Sequence, residues 1–272
     1  MAPQLPTAPL FAPASKPALF AKAAASDADA VILDLEDAVS PDEKDFARGE
    51  VLTHGITAKP IIIRINGVAS SWVEADLVAL RSARFDALML PKTESAANIA
   101  QIISMLGRAV PVIALIENAR GLAALGDILS HQNVIGLALG ALDLALDLNC
   151  APDFEPLLMA RSEMVLRARL SGRPGPIDGV TPDFQDLTRV ADDTKRVRAL
   201  GFSGKLAIHP KQVGPILNAM SPSDQEIKWA REIVSSLGNH ALGVVNGAMI
   251  DAPVIARAQR ILEQIKNEDR SA

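Results

Sequence analysis

The sequence predicts an α/β protein built as a (β/α)8 TIM barrel with a C-terminal helical extension. Three observations predict it. Short β-rich runs alternate with helical patterns eight times in succession, the arrangement that specifies a parallel sheet with helices outside it. The apolar runs keep ending on charged or amide residues: AVILDLED on Asp34, Glu36 and Asp37, PIIIRIN on Arg64 and Asn66, ALMLPK on Lys92. PVIALIEN then ends on Glu117 and Asn118, VIGLALGALD on Asp143 and KLAIHP on His209. In a parallel barrel all such endings open onto one face, where active sites are built. Finally, no G-x-G-x-x-G follows the first strand, which removes the usual dinucleotide signature of an open doubly wound sheet.

The elements follow from periodicity. A short strand at 10–13 precedes an Ala-rich helix at 16–26. The run 30–37 is a strand, and Pro41 opens a helix to about residue 54, at a position where its missing N–H does not matter. The β-branched run 60–66 is a strand. Helices at 74–82, 94–106 and 120–129 then alternate with strands at 87–91, 111–117 and 134–139. A longer helix at 154–170, a weak strand at 177–180, a helix at 186–200 and a last strand at 204–208 complete the series. Residues 9–220 are thus expected to form the barrel. Residues 221–272 exceed what a final barrel helix needs. They read as amphipathic helices at 223–237 and 252–267 around a short apolar segment, 243–251, that ends on Asp251. Such an extension is expected to cover a barrel mouth, its own or that of a neighbouring subunit.

Composition narrows the function classes. The 272 residues are 49% hydrophobic and 22% charged, enough for one large core. A net charge of −5, with 3% aromatics and no tyrosine, argues against nucleic-acid binding, since neither a basic footprint nor stacking platforms are at hand. Cys150 is the single cysteine, which excludes an internal disulfide and a thiolate zinc cluster and reads as a small half-buried hydrophobe. No apolar run reaches transmembrane length, and the proline-rich N-terminus, MAPQLPTAPLFAPASKP, lacks the regions of a signal peptide, so a cytoplasmic protein is expected.

The strand endings suggest chemistry. Glu117 and Asp143 end consecutive strands, and two neighbouring carboxylates suit a hard cation, Mg2+ above all, while neither strand ends on the histidine that zinc would favour. Solvated or helix-capping acids are the plainer alternative. Arg64 ends a strongly apolar strand, where a guanidinium needs a partner. It can clamp a substrate carboxylate bidentately, pair with Asp34, Glu36 or Asp37, or do both. Positions 34 and 36 share one side of their strand, so Asp37 points away or turns with the loop. Glu36 and Asp37 are candidates for holding metal-bound water or Arg64, while Asp34 suits buried pairing equally well. Asn66 is a candidate substrate contact beside Arg64. Lys92 is read as a substrate-facing or surface lysine, with a Schiff-base role open. Lys205 begins its strand and falls on the opposite face. His209, fixed by the following proline, serves as a substrate or acid/base residue or as a structural histidine. No G-x-S-x-G elbow supports a serine hydrolase.

The chain resembles the citrate lyase beta-chain-like proteins of the HpcH/HpaI aldolase/citrate lyase family. The matching segments are LFAPASKPALFAKA, DAVILDLEDAV, IIIRINGVASSW, ALMLPKTES, VIALIENARGL, GALDLA, IDGVTPDF, ALGFSGKLAIHPKQV and NGAMIDAPVIARAQRIL, in this order over most of the chain. The resemblance implies a Mg2+-dependent barrel, a homotrimer or a hexamer, acting on an acyl-CoA or a 2-oxo acid. It implies Glu117 and Asp143 as metal ligands, Arg64 as carboxylate clamp, and Asp251 as an acid/base residue delivered by the extension, often from a neighbouring subunit. The implied reaction is retro-Claisen cleavage of a 3-hydroxy acyl thioester to a 2-oxo acid and a shorter thioester, as in citryl-, citramalyl- or malyl-CoA lyases. An aldolase acting on free 2-oxo acids and a non-catalytic barrel subunit are the alternatives. Two departures bear on substrate identity: Ala14-Ser15-Lys16-Pro17 stands where the family has G-S-x-R-P, and Leu142 stands where it has the glutamate of G-x-E-D.

Overall fold

The computed structural model describes residues 5–236, 243–245 and 248–271. The first four residues of the proline-rich N-terminus, and residue 237 at the expected end of a helix, lie outside them. The chain divides into two compact units between Met220 and Ser221.

In the first unit eight strands lie side by side in chain order, all parallel. They are β1 (Leu10–Pro13), β2 (Val31–Asp34), β3 (Ile61–Arg64), β4 (Ala87–Leu90), β5 (Val112–Ile116), β6 (Val134–Leu139), β7 (Ile177–Asp178) and β8 (Gly204–Lys205). The last returns to the first: the Phe11 N–H donates to the Ala207 carbonyl at 2.8 Å, and the Ala207 N–H to the Pro9 carbonyl at 3.0 Å. Closure removes the sheet edges and makes the predicted (β/α)8 barrel.

Strand side chains alternate between two apolar layers. Ile32, Ile62, Met89, Ile113, Leu115, Ala138, Ile177 and Leu206 fill the inside. Leu33, Ile63, Leu90, Ala114, Ile116 and Leu139 face outward against the helices. Those helices are α1 (Phe20–Ala25), α2 (Lys44–Leu52), α3 (Val73–Leu80), α4 (Ala96–Leu106), α5 (Ala119–Ala123), α6 (Leu125–Ser130), α7 (Ala141–Asp147), α8 (Leu158–Leu170), α9 (Leu187–Leu200) and α10 (Pro210–Met220). Leu5 belongs to the inner layer, close against Gly136, where a Cβ would sit 2.3 Å from its Cδ1. Cys150 is half-buried against the outer layer, as its sequence context suggests.

Local differences from the expected elements have local causes. The helix expected at 120–129 is two helices. Asn118 caps the first by accepting the Gly121 N–H at 2.8 Å, and Gly121 lies so close to the Thr93 carbonyl that a Cβ would come within 2.4 Å. That contact pins the first helix, and the chain restarts at Leu125. Helix α7 was not anticipated, because its apolar residues continue the strand pattern of β6 across Gly140. Strands β7 and β8 are only two residues long.

The second unit holds α11 (Asp224–Ser236), an antiparallel pair β9 (Gly243–Val245) and β10 (Ala248–Ile250), and α12 (Ala252–Ser271). The pairing of the apolar segment with itself was not predicted, and residues 246 and 247 between the strands lie outside those described. Ala230, Ile233, Ile250, Ala258 and Ile261 form its core, with Arg257 over the Trp229 ring at 5.1 Å. Among the described residues no helix is long and apolar enough to cross a membrane.

Candidate active site at the barrel mouth

Asp34, Arg64 and Glu117 continue the inward-facing rows of Ile32, Ile62 and Leu115, two residues further along each strand. They therefore converge where the apolar inner layer ends, at the C-terminal mouth.

Arg64 and Asp34 are register partners on β3 and β2. Their pairing is bidentate, Nε to Oδ1 at 2.7 Å and Nη2 to Oδ2 at 2.6 Å, with the guanidinium over the Phe11 ring at 4.8 Å. Asp34 also accepts the backbone N–H groups of Glu36 and Ala38. Arg64 thus takes the ion-pair option. Its fork is occupied by Asp34, and Nη1 faces Glu36 at 3.2 Å and Asp37 at 3.7 Å. Burial works to lower its pKa, but Asp34 and the neighbouring acids outweigh burial and raise it. The pairing is one of the two roles expected for Arg64, and it leaves Nη1 as the part of the guanidinium not hydrogen-bonded to Asp34.

Asn66 is also committed elsewhere. Its amide donates to the Leu35 carbonyl and to Asp76, and its oxygen accepts from Lys44 Nζ at 2.9 Å. Lys44 in turn donates to the Leu35 and Glu36 carbonyls. This buried bracket shapes the β2 loop and holds Asn66 where it lines the cavity at the mouth. Lys44 and Asp76 fall within the predicted helices 41–54 and 74–82 and were not singled out from the sequence, because their partners lie across elements.

Glu36 is buried, and its Oε1 accepts from Lys92 Nζ at 2.5 Å while Oε2 has no hydrogen-bond partner. Burial raises its pKa against the opposing pull of Arg64 and Lys92. Asp37 turns outward with the loop and is more than half exposed. Lys92 follows β4 in a left-handed conformation, φ 50°, uncommon for a residue with a side chain. Its N–H donates to Glu117 Oε1 at 2.7 Å, and its ammonium lies 3.9 Å from the same oxygen. Burial lowers its pKa, but the hydrogen bond and charge of Glu36, then Glu117, raise it on balance. A Schiff-base lysine needs the neutral amine, so that option is set aside.

Glu117 is the most perturbed group at the mouth. Burial, then the charges of Glu36 and Asp143, push its carboxyl up to about 8 against the pull of Lys92. Its Oε2 lies beside Gly140: a Cβ there would stand 2.6 Å from that oxygen and 2.5 Å from Glu117 Cβ. Gly140 is therefore part of the site, and its only sequence signal is its place between an apolar strand and an acid. Asp143 stands half-buried in the first turn of α7, which starts right after Gly140. Leu142 beside it is 43% exposed.

This donor set fits a hard divalent cation. Glu117 is short of positive charge, and Asp143 is near enough to perturb it. Among the described residues no three His, Cys, Asp or Glu side chains form a ready-made metal cage. Two carboxylates with the other positions left to water and substrate is the way Mg2+ is commonly held.

Beside the acids lies a cavity of about 700 Å³, whose lining includes Glu36, Asp37, Lys44, Asn66, Lys92 and Glu94 together with the apolar Val39, Pro41, Val68 and Trp72. His209 does not line it. Its ring stacks on Phe184 at 4.7 Å, and Nδ1 accepts the Lys211 N–H at 3.1 Å, capping α10. These contacts give His209 a structural role at the start of α10. Lys205 is buried and faces outward, one residue before the inward-facing Leu206; it is bonded to Asp178 at 2.7 Å, with Arg161 on the other carboxylate oxygen at 3.0 Å. Asp251 lies in the second unit, where Oδ1 accepts the Val254 N–H at 3.2 Å and caps α12.

Fold and mouth together define a barrel enzyme with a buried carboxylate site suited to a divalent metal. The chain belongs to the HpcH/HpaI aldolase/citrate lyase family, whose sequence profile matches residues 8–210. It is 34% identical over 263 residues to a citrate lyase subunit beta-like protein of Mycobacterium tuberculosis, covering 94% of each chain. It is also 34% identical over 267 residues to a (3S)-malyl-CoA thioesterase of Cereibacter sphaeroides, covering 93% of this chain and 92% of that one. Among solved structures, the CitE protein of Mycobacterium tuberculosis in complex with magnesium, acetoacetate and coenzyme A superimposes with a TM-score of 0.87. That match has 32% identity and covers 97% of this chain and 99% of the other.

Proposed function

We propose that this chain is a Mg2+-dependent carbon–carbon lyase that cleaves, or forms, a 3-hydroxy acyl-CoA thioester, giving a 2-oxo acid and a shorter acyl-CoA. The observation that carries the reading is Glu117: a buried carboxyl at the barrel mouth, raised to about 8 beside Asp143, with Oε1 tied to the Lys92 N–H and Oε2 facing the start of α7. Family membership supports the magnesium and the lyase class, and the magnesium–coenzyme A complex of the mycobacterial relative supports a thioester substrate.

Glu117 and Asp143 would hold the metal, which when bound supplies a Lewis acid for the oxygens of the hydroxy acid. Asp34 fixes Arg64 so that its remaining Nη1–H edge, together with Glu36, sets the field at the reacting carbons. In the cleavage direction the 3-hydroxyl gives its proton to solvent water and its O–H electron pair forms the C3=O bond of the 2-oxo acid. The C2–C3 bond breaks, and its electron pair stays on C2 next to the thioester. A proton then returns to C2. Asp251 is the proposed donor, brought by the extension. The apolar wall of Val39, Pro41, Val68 and Trp72 suits the acyl or pantetheine chain.

The test is a panel of citramalyl-, malyl-, citryl- and 3-hydroxy-3-methylglutaryl-CoA with Mg2+. Release of pyruvate, glyoxylate, oxaloacetate or acetoacetate together with a shorter acyl-CoA supports the lyase. Release of free CoA without carbon–carbon cleavage would favour a thioesterase, as the Cereibacter relative is named. Cleavage of free hydroxy-oxo acids alone would favour the aldolase reading.

A further inference from the structure

We propose that Asp147 is a positioning residue of the metal site: its carboxylate holds the helix that carries Asp143 against the strand end that carries Glu117. This role rests on Glu117 and Asp143 being the metal ligands, and it sets the separation between them.

The two acids are anchored differently. Glu117 follows directly on β5, a strand bonded along its length to β4 and β6. Asp143 stands in α7, which has seven residues, too few to hold a helix by its own hydrogen bonds. Ala141, Leu144 and Ala145 are its buried residues, whereas Leu142 and Leu146 face solvent. At its start α7 is tied to β5 through the Gly140 N–H, which donates to the Ile116 carbonyl at 2.9 Å. Gly140 is also where the chain turns from strand to helix, and a glycine resists rotation least. Secured there alone, α7 would be free to pivot and carry Asp143 towards or away from Glu117.

Asp147 supplies a second tie. Its Oδ2 accepts the Ala119 N–H at 2.7 Å. Ala119 lies two residues past Glu117 and begins α5, so its N–H has no partner within that helix. A carboxylate makes this bond charge-assisted and therefore stronger than a neutral acceptor would. Asp143 and Asp147 are four residues apart and share a face of α7. The contacts Gly140–Ile116 and Asp147–Ala119 thus bracket both ligands, Asp143 on the helix side and Glu117 on the strand side. The anchor is itself held, because Asn118, between Glu117 and Ala119, bonds to Gly121 and Glu94.

A matched contact serves as control. Asp127 on α6 accepts the Ala96 N–H at 2.7 Å, also at the first residue of a helix and also at the surface. Neither α4 nor α6 carries a metal ligand.

Calorimetric titration of Mg2+ into the full chain reads the effect, with circular dichroism and urea unfolding to establish that each variant is folded. Asp147→Ala should bind Mg2+ about tenfold more weakly. Asp147→Asn keeps an acceptor oxygen and loses the charge, and should stay within about threefold of wild type. Ala119→Pro removes the same bond from the donor side, at a helix position that accepts proline and after a residue, Asn118, that is already extended. It should weaken Mg2+ binding as Asp147→Ala does, and the double variant should be no weaker than either. Asp127→Ala should keep wild-type affinity. Unchanged affinity in Asp147→Ala or in Ala119→Pro overturns the proposal. Equal weakening in Asp147→Asn overturns it too, since charge would then be the cause, as does equal weakening in Asp127→Ala, which would mean general loosening. Glu117→Gln and Asp143→Asn separate the two readings: if both bind Mg2+ like wild type, the ligand assignment fails. If they lose Mg2+ while Asp147→Ala binds it like wild type, only the positioning role fails.

Discussion

Magnesium affinity should depend steeply on pH, because the metal and a proton compete for Glu117. The carboxyl is raised from 4.5 to about 8, first by burial and then by Glu36 and Asp143. At pH 7 roughly nine in ten molecules would carry a proton there. Apparent Mg2+ affinity should then be about tenfold weaker than above pH 9, and about a hundredfold weaker at pH 6. Binding at pH 7 should release nearly one proton, measurable by titration calorimetry in two buffers of different ionisation enthalpy. The same shift affects stability. A folded pKa above the unfolded value contributes stability that is complete below about 4.5 and is lost as pH rises through about 8. The metal-free protein should therefore weaken between pH 5 and 8, by at most roughly 5 kcal/mol for so large a shift, and saturating Mg2+ should reverse the loss. Glu117→Gln should abolish both effects and be more stable than metal-free wild type at pH 9. Glu36→Gln removes the largest charge acting on Glu117 and should move the inflection to lower pH. An affinity that stays flat from pH 6 to 9, or binding without proton release, would show that Glu117 is already ionised or is not a ligand.

Gly140→Ala places a methyl group 2.5 Å from Glu117 Cβ. Overpacking of this kind should cost about 1–3 kcal/mol in denaturant unfolding, and Mg2+ titration should show lost binding as well. Asp34→Asn leaves the buried Arg64 guanidinium without its bidentate partner and should destabilise the fold by about 3–5 kcal/mol, read from the urea midpoint. Asp178→Asn should destabilise similarly, about 3–5 kcal/mol, because it strands the buried Lys205 and Arg161. If Asp251 serves a neighbouring copy, co-expression of Asp251→Asn with Glu117→Gln should recover cleavage that neither variant shows alone. Absence of recovery in purified mixed assemblies would rule out sharing between subunits.

The barrel was legible because its signal is repetitive. Each β-rich run is followed by a helical pattern, and closure needs only that eight units follow in order. Residues 34, 64 and 117 could be named as mouth residues for the same reason, since alternation places every second strand residue on one face. The short helix α7 and the split of α5 from α6 were not legible. Gly140 and Gly121 are defined by backbone approach to Glu117 and Thr93, partners from other units of the barrel.

What the sequence by itself determined is the set of chemical groups at the mouth and the face they share, because strand periodicity is local. What only the tertiary structure decided is which of those groups are already taken. Arg64 is held by Asp34, Asn66 by Asp76 and Lys44, and His209 by its own helix. Glu117 is left buried and under-compensated, with Lys92 hanging over the acids. The physical reason is that ion pairing and desolvation depend on distances across strands, to which a linear spacing of residues is blind. Two carboxylates that look alike in sequence can thus become a structural anchor in Asp34 and the prime metal candidate in Glu117.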